Sequence, residues 1–335
     1  MRTELARVAV ALVALVPLWG AAAPAGAQQA PRVYRVGILS EISPLPQGAD
    51  AYGEAFSRAL RERGWSIDQT VRVESLYAEG RVERLPDLAA EFVRRPVDVI
   101  VVGGGARAAL AAAAATSTIP IVLIAVSDPV RYGLAKSVAR PGRNITGLSD
   151  VVDAQISPKR LQLLKELSPR ISRVAVIHRT QPAPFAEFYH PLTVAAGRLG
   201  LTLLPTVLDR KEHLEDAFAA IVRERADAVL VQPSPLIWSL GGPIAELAAR
   251  RRLPTVFPFR EAVVAGGLMA YAVDYIDMWR RAAGFVDRVL RGANPADLPI
   301  EQPTKFGLTV NMRTARALGL TMPPALLVRA DEVIE

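Results

Sequence analysis

From residue 33 to the end, short apolar runs alternate with longer stretches whose apolar positions recur every three or four residues. The first pattern marks buried strands, the second helices with one face in a core. Residues 33–40 predict a strand, 49–63 a helix stopped by Gly64, 71–77 a strand with alternating polarity and 84–94 a helix. Residues 97–102 and 119–126 are apolar strands on either side of an alanine-rich helix at 106–115. A short helix at 129–138, with Asp128 as N-cap and Pro129 at the first helical position, and a last strand at 145–148 complete the first half. The programme then repeats. Helices are predicted at 157–167, 185–199, 214–224 and 243–251, among strands at 173–178, 202–207, 228–232, 254–258 and 268–273. Unbroken apolar strands are buried on both faces, the mark of a parallel sheet, and strand–helix–strand order makes right-handed βαβ units. The expected fold class is α/β: two Rossmann-like lobes, each built on a parallel sheet.

The tail adds an amphipathic helix at 276–290, a strand at 306–310 and a helix at 313–318. These are too few for a third domain and must pack on the two lobes. A chain that crosses between lobes more than once gives a multi-strand hinge, which permits rigid closure around a ligand. The expected division is lobe 1 at 32–148 plus 276–302 and lobe 2 at 152–273 plus 305–335. The length of 335 residues suits two domains of ordinary size.

Residues 1–27 read as a signal peptide. Arg2 and Arg7 flank the start, residues 8–19 are an apolar run too short to span a bilayer comfortably, and Ala25-Gly26-Ala27 is an A-x-A cleavage site. Cleavage after Ala27 leaves Gln28 as the mature start; the alternative is an uncleaved anchor. There is no cysteine, which excludes disulfides, thiolate nucleophiles, Cys-ligated metals and a lipid carried on a cysteine. An exported, unanchored protein fits the periplasm. The net charge of +7 falls to +6 on losing Arg2, Arg7 and Glu4 with the leader. The arginines lie scattered along helices, often beside acids as in Arg61-Glu62-Arg63, so they read as solvated faces. No basic run with interleaved aromatics suggests nucleic acid.

In open parallel sheets ligands lie beyond the carboxyl ends of the strands. In lobe 1 that places Glu41, able to accept from a ligand ammonium, and the turn Gly103-Gly104-Gly105-Ala106, whose glycines and helix N-terminus suit a carboxylate or phosphate. Ser127 and Asp128 follow the next strand. In lobe 2 the matching loops run from His178 to Gln181 and from Gln232 through Ser234, with Trp238 nearby; Tyr271 to Asp274 lies at a crossover. Trp238 and Tyr271 offer flat surfaces for stacking. Each residue also has a plainer use, as a cap, a turn or core packing. The candidate ligand residues are Glu41, Gly104, Gly105, Ala106, Ser127, Asp128, Gln232, Ser234, Trp238, Tyr271 and Asp274.

Several stretches carry a resemblance in the same order as a known family. They include 34–40 (YRVGILS), 84–91 (RLPDLAAE), 115–122 (ATSTIPIV), 139–148 (ARPGRNITGL), 159–166 (KRLQLLKE), 266–271 (GGLMAY), 296–306 (ADLPIEQPTKF) and 330–335 (ADEVIE). From about residue 33 onward the chain resembles the ABC transporter substrate-binding family typified by tryptophan- and tyrosine-type binding proteins. The resemblance implies the type I periplasmic-binding-protein fold, no catalysis, no cofactor and no metal. The implied partners are a small-molecule ligand, probed first among amino acids and small carboxylates, and an ABC permease with its ATPase; the protein is expected to be a monomer. It also implies ligand contacts from Gly105 and Ala106, Ser127-Asp128, Gln232 to Ser234, and Tyr271 to Asp274. Members commonly carry Thr or Ser at the position of Gly105, Asp at that of Ser234 and Gly-Pro-Asn at Ala272-Val273-Asp274, so the ligand itself does not carry over.

Two other classes compete. Residues 103–108 fit G-x-G-x-x-A, with Asp128 twenty residues on, as in a dinucleotide fingerprint. A complete strand–helix–strand–helix unit precedes them, whereas the fingerprint follows the first strand. Hydrolase chemistry has less: no G-x-S-x-G occurs, and His178, His190 and His213 lack metal-ligand spacing. The same fold can also present a ligand to a receptor kinase, which leaves a sensory role open.

Overall fold

The computed structural model describes residues 32–42, 51–103, 105–150, 153–180 and 185–335; the signal peptide expected at 1–27 and Gly104 lie outside them. Lobe 1 is built from β1 (Tyr34–Ser40), α1 (Ala51–Glu62), β2 (Val71–Tyr77), α2 (Leu85–Arg94), β3 (Val99–Gly103), α3 (Ala106–Ala115), β4 (Ile121–Ile124) and β5 (Ile145–Gly147). Its five strands are parallel, in the order β2-β1-β3-β4-β5. The apolar runs of β3 and β4 are buried along their length, from Val99 to Val102 and from Ile121 to Ile124. One face packs on Leu85, Phe92 and Ala109 from α2 and α3. The other packs on Phe56 and Leu60 of α1.

Lobe 2 runs through α4 (Asp153–Leu167), β6 (Arg173–His178), α5 (Phe185–Phe188), α6 (His190–Leu199), β7 (Thr202–Val207), α7 (Leu214–Arg223) and β8 (Ala228–Val231). It continues with α8 (Pro235–Ser239), α9 (Gly241–Arg250), β9 (Thr255–Phe257), α10 (Arg260–Val264) and β10 (Met269–Val273). The chain then makes α11 (Tyr275–Leu290), β11 (Phe306–Asn311), α12 (Met312–Ala317), α13 (Pro324–Val328) and β12 (Glu332–Ile334). The second sheet has the order β12-β11-β10-β9-β8-β6-β7. Phe218 and Ile244 from α7 and α9 cover one face, Leu161 and Leu164 of α4 the other.

Helix α11 belongs to lobe 1 by packing. Met278, Phe285 and Val286 are buried against Phe56 and Val122, and Trp65 donates to Asp287 at 2.8 Å. Burying one such side chain contributes about 1.5–3 kcal/mol, enough to fix the helix there. The chain therefore passes between lobes after β5, between β10 and α11, and before β11. These passages are tied together. Leu148 bridges Glu301 in parallel register, with Ser149 N–H to the Glu301 carbonyl and Glu301 N–H to the Gly147 carbonyl both at 2.9 Å.

The structure adds one strand direction and corrects two expectations. β11 runs antiparallel to β10, pairing Val273 with Phe306, so the second sheet is mixed. No helix spans 129–138: Asp128 Oδ1 accepts from Arg131 N–H at 3.0 Å as a cap should, but Gly133 turns left-handed (φ 68°) and ends the turn at once. The helix expected at 185–199 is two, α5 and α6, because Pro191 has no N–H for a continuous ladder and sits in the first turn of α6.

Candidate functional site

The carboxyl ends of both sheets meet at a cavity of about 920 Å³, at the upper end of what a drug-sized ligand needs. Ten aromatic residues line it, half of all the Trp, Tyr and Phe (4, 7 and 9) in the chain. Tyr52 on α1 and Trp279 on α11 stack nearly parallel, 6.3 Å apart, and Trp238 on α8 stands 5.8 Å from Tyr52.

The lobes touch around this cavity. Glu41, just after β1, is 2% exposed and accepts from Arg179 Nη1, just after β6, at 2.8 Å. Arg179 is held from behind by Asp209 at 3.3 Å, and Arg107 approaches Glu41 at 4.0 Å, beyond hydrogen-bond reach. Burial pushes the Glu41 carboxyl above its ordinary value; the charge and hydrogen bond of Arg179 pull against this. The Tyr52 hydroxyl donates to Glu261 Oε1 at 2.6 Å, a second contact between the lobes. Burial, then the Glu261 charge, raises the Tyr52 phenol far above its usual range, so it stays a donor. The Arg131 guanidinium lies over the Phe188 ring at 4.6 Å. Gly105 caps α3 with φ 83°, and a Cβ there would stand 2.9 Å from Pro235 Cγ of the facing lobe.

Of the residues expected from sequence, Glu41, Gly105, Ala106, Ser127, Ser234 and Trp238 line the cavity. Ser127 donates to Asp150 Oδ1 at 2.6 Å, and Ser234 caps α8 by accepting from Ile237 N–H at 3.1 Å. Gly104 is outside the described residues. Asp128, Gln232, Tyr271 and Asp274 stand outside the lining. Asp128 caps its own turn. Gln232 is buried and accepts from Ser157 at 2.9 Å, while its amide nitrogen has no partner. Tyr271 packs on Phe306 with its carbonyl bound by Arg160, and Asp274 caps α11 through Asp277 N–H at 2.9 Å. A search confined to strand ends passes over Tyr52 and Trp279, because both sit on helices; their positions on amphipathic segments were the available sign. Arg107 and Asp150 each lie within three residues of a recognised motif.

A family model described as "ABC transporter substrate binding protein" matches residues 36–334. The chain belongs to that family. This substrate-binding protein is 26% identical over 282 residues to a protein named tyrosine-binding protein from Clostridioides difficile (strain R20291), covering 84% of this chain and 80% of that one. The crystal structure of a conserved domain protein from Vibrio cholerae O1 biovar eltor superposes with a TM-score of 0.82 at 25% identity, covering 90% of this chain and 99% of that one. A Streptococcus pneumonia ABC domain solved in complex with L-Trp gives 0.81 at 23% identity, with the same coverages. The architecture of the substrate-binding protein is the type I periplasmic-binding-protein fold, with two lobes on mainly parallel sheets joined by several passages of the chain. Among the described residues no helix is long and apolar enough to cross a membrane, and no cluster of His, Cys, Asp or Glu has metal-holding geometry.

Proposed function

We propose that the protein captures an amino acid or other small carboxylate between its lobes and delivers it to an ABC permease and its ATPase, without catalysis. The observation that carries this reading is the aromatic cavity bridged by Glu41–Arg179 and Tyr52–Glu261, contacts that exist only when the two lobes face each other closely. A ligand that touches both sheets stabilises the closed form over the open one by its differential contacts. The first turn of α3 supports a carboxylate: its leading N–H groups have no intrahelical acceptors, and Arg107 adds a cation beside them. Tyr52, Trp238 and Trp279 support a flat apolar group. The relatives named for tyrosine and solved with L-Trp make amino acids the first ligands to test. The leader expected at 1–27 supports delivery in the periplasm.

The test is a thermal-shift screen of the chain from Gln28 against amino acids and small carboxylates, followed by small-angle scattering. A hit should raise Tm and shrink the radius of gyration. A confirmed ligand that leaves the radius unchanged would end the clamshell reading.

A further inference from the structure

Two cations approach one carboxylate oxygen. Glu41 Oε1 accepts from Arg179 Nη1 at 2.8 Å, and Arg107 Nη1 stands 4.0 Å from the same atom. Among the described residues Arg107 makes no closer ion pair, and its side chain, in the lining of the cavity, is 40% exposed. Arg179 is 10% exposed and has Asp209 at 3.3 Å on its other side. The two arginines differ in what carries them. Glu41 follows β1, Arg107 sits in the first turn of α3 after β3, and β1 and β3 are paired neighbours in one sheet. Glu41 and Arg107 therefore stay close whatever the lobes do. Arg179 follows β6 of the other sheet and withdraws with lobe 2 when the cleft opens.

We propose that Glu41 exchanges partners on closure, Arg107 in the open form for Arg179 in the closed one, and that the Arg107 so released binds the ligand's α-carboxylate. This rests on the amino-acid reading of the cavity. With Arg179 withdrawn, Arg107 is, among the described residues, the one cation left within 4.0 Å of Glu41. A charge-assisted hydrogen bond spans about 2.7–2.9 Å, so a side-chain movement of about 1 Å closes the gap. When the lobes meet, Arg179 arrives with Asp209 behind it and takes Oε1. Arg107 is then the guanidinium of the cavity without a carboxylate at hydrogen-bond distance. Its planar fork of N–H donors matches a carboxylate. The exchange makes carboxylate recognition a part of closure. An amino acid on the open protein competes with Glu41 for Arg107, and closing the lobes removes the competitor.

The test is calorimetry at pH 6.5, where acid and amide both keep their ammonium, with L-Trp, L-Tyr, L-Phe and L-Leu and the carboxamide of each. The readout is the ratio of amide to acid Kd, in which a general loss of closure cancels. Wild type should favour the acids about tenfold or more. Arg107→Gln should lower acid affinity about 10- to 100-fold and leave amide affinity within about threefold of wild type. Arg107→Lys should keep part of the preference. In Arg179→Met both ligand types weaken, and the ratio falls by about threefold to tenfold besides, because Arg107 stays with Glu41. Glu41→Gln/Arg179→Met frees Arg107 again and should return the ratio to within about twofold of wild type. An unchanged ratio in Arg107→Gln overturns the carboxylate assignment. An unchanged ratio in Arg179→Met, or one that the double variant fails to restore, overturns the exchange. Wild type that binds amides as tightly as acids, or binds none of these ligands, overturns the amino-acid reading itself and this proposal with it. If Arg107→Gln does not fold, the ratios of Arg179→Met and the double variant decide alone.

Discussion

Replacing Arg179 with Met takes away the cation that faces Glu41 across the cleft. Both side chains are buried, 10% and 3% exposed, at a separation of 2.8 Å. Breaking a buried pair by removing one member costs about 3–5 kcal/mol, because the survivor is left uncompensated. Here the penalty falls on the closed form alone, since opening the lobes returns Glu41 to water. Arg107 at 4.0 Å offsets a part, so a net shift of about 3 kcal/mol, or roughly 100-fold in affinity, is expected at pH 8. Glu41 has an escape, because burial already raises its pKa and without Arg179 it rises further. The closed form of the variant then takes up a proton that the open form does not, so closure becomes easier as pH falls. The loss should be several-fold smaller at pH 5.5 than at pH 8, measured by calorimetry with the tightest ligand of the screen. The double variant Glu41→Gln/Arg179→Met should regain at least half of the lost binding energy. Unchanged affinity in Arg179→Met would refute the latch, and a double variant as weak as the single one would make Arg179 a direct ligand contact instead.

Gly105→Val should lose some stability in either form, since a β-branched residue at φ 83° is strained. It should also bind at least tenfold more weakly and remain expanded in small-angle scattering with ligand, because its Cβ meets Pro235 on closure; wild-type affinity would contradict the close approach. Tyr52→Phe leaves Glu261 Oε1 without its donor, beside an Oε2 that is already unpartnered. An unsatisfied buried acceptor costs about 1–3 kcal/mol, so calorimetry should show affinity down about tenfold. Burial lowers the pKa of His178 below its ordinary 6.5. The unfolded chain therefore gains a proton near pH 6.5 that the folded chain refuses. The contribution to stability is complete above that pH and is lost as pH falls toward the depressed value. Melts at pH 7.5 and 5.5 should show a larger Tm drop for wild type than for His178→Gln, and equal drops would refute it. Edman or mass analysis of the periplasmic protein should find Gln28 at or near its N-terminus, and an intact Met1 would rule out the leader.

Much of the fold is legible because burial on two faces leaves a mark in composition. The runs of β3, β4 and β8 can be nothing but central strands, and they are. Strand direction leaves no such mark: an apolar run at 306–310 reads the same parallel or antiparallel, so the turn-back of β11 was hidden. The turn after Pro129 was misread because a sound cap predicts that a helix begins, not how soon Gly133 stops it. The cavity was legible where strand-end loops form it, as at Gly105, Ser127 and Ser234. What joins the lobes was not. Arg179 lies 138 residues from Glu41, and nothing local to either announces the other.

The packing of α11 sets the order in which the molecule can become whole. Phe56, Val122 and their neighbours are made early, but the helix that roofs them ends at Leu290. At about 5–20 residues per second, the stretch from β5 to the end of α11 takes on the order of ten seconds to synthesise. Until α11 is present, the face of the first sheet that it covers has α1 alone against it. A fragment ending near residue 150 would stay in that state, sticky and incomplete. The two halves of the clamshell thus mature together, and the earlier half is a natural client for whatever keeps nascent chains apart.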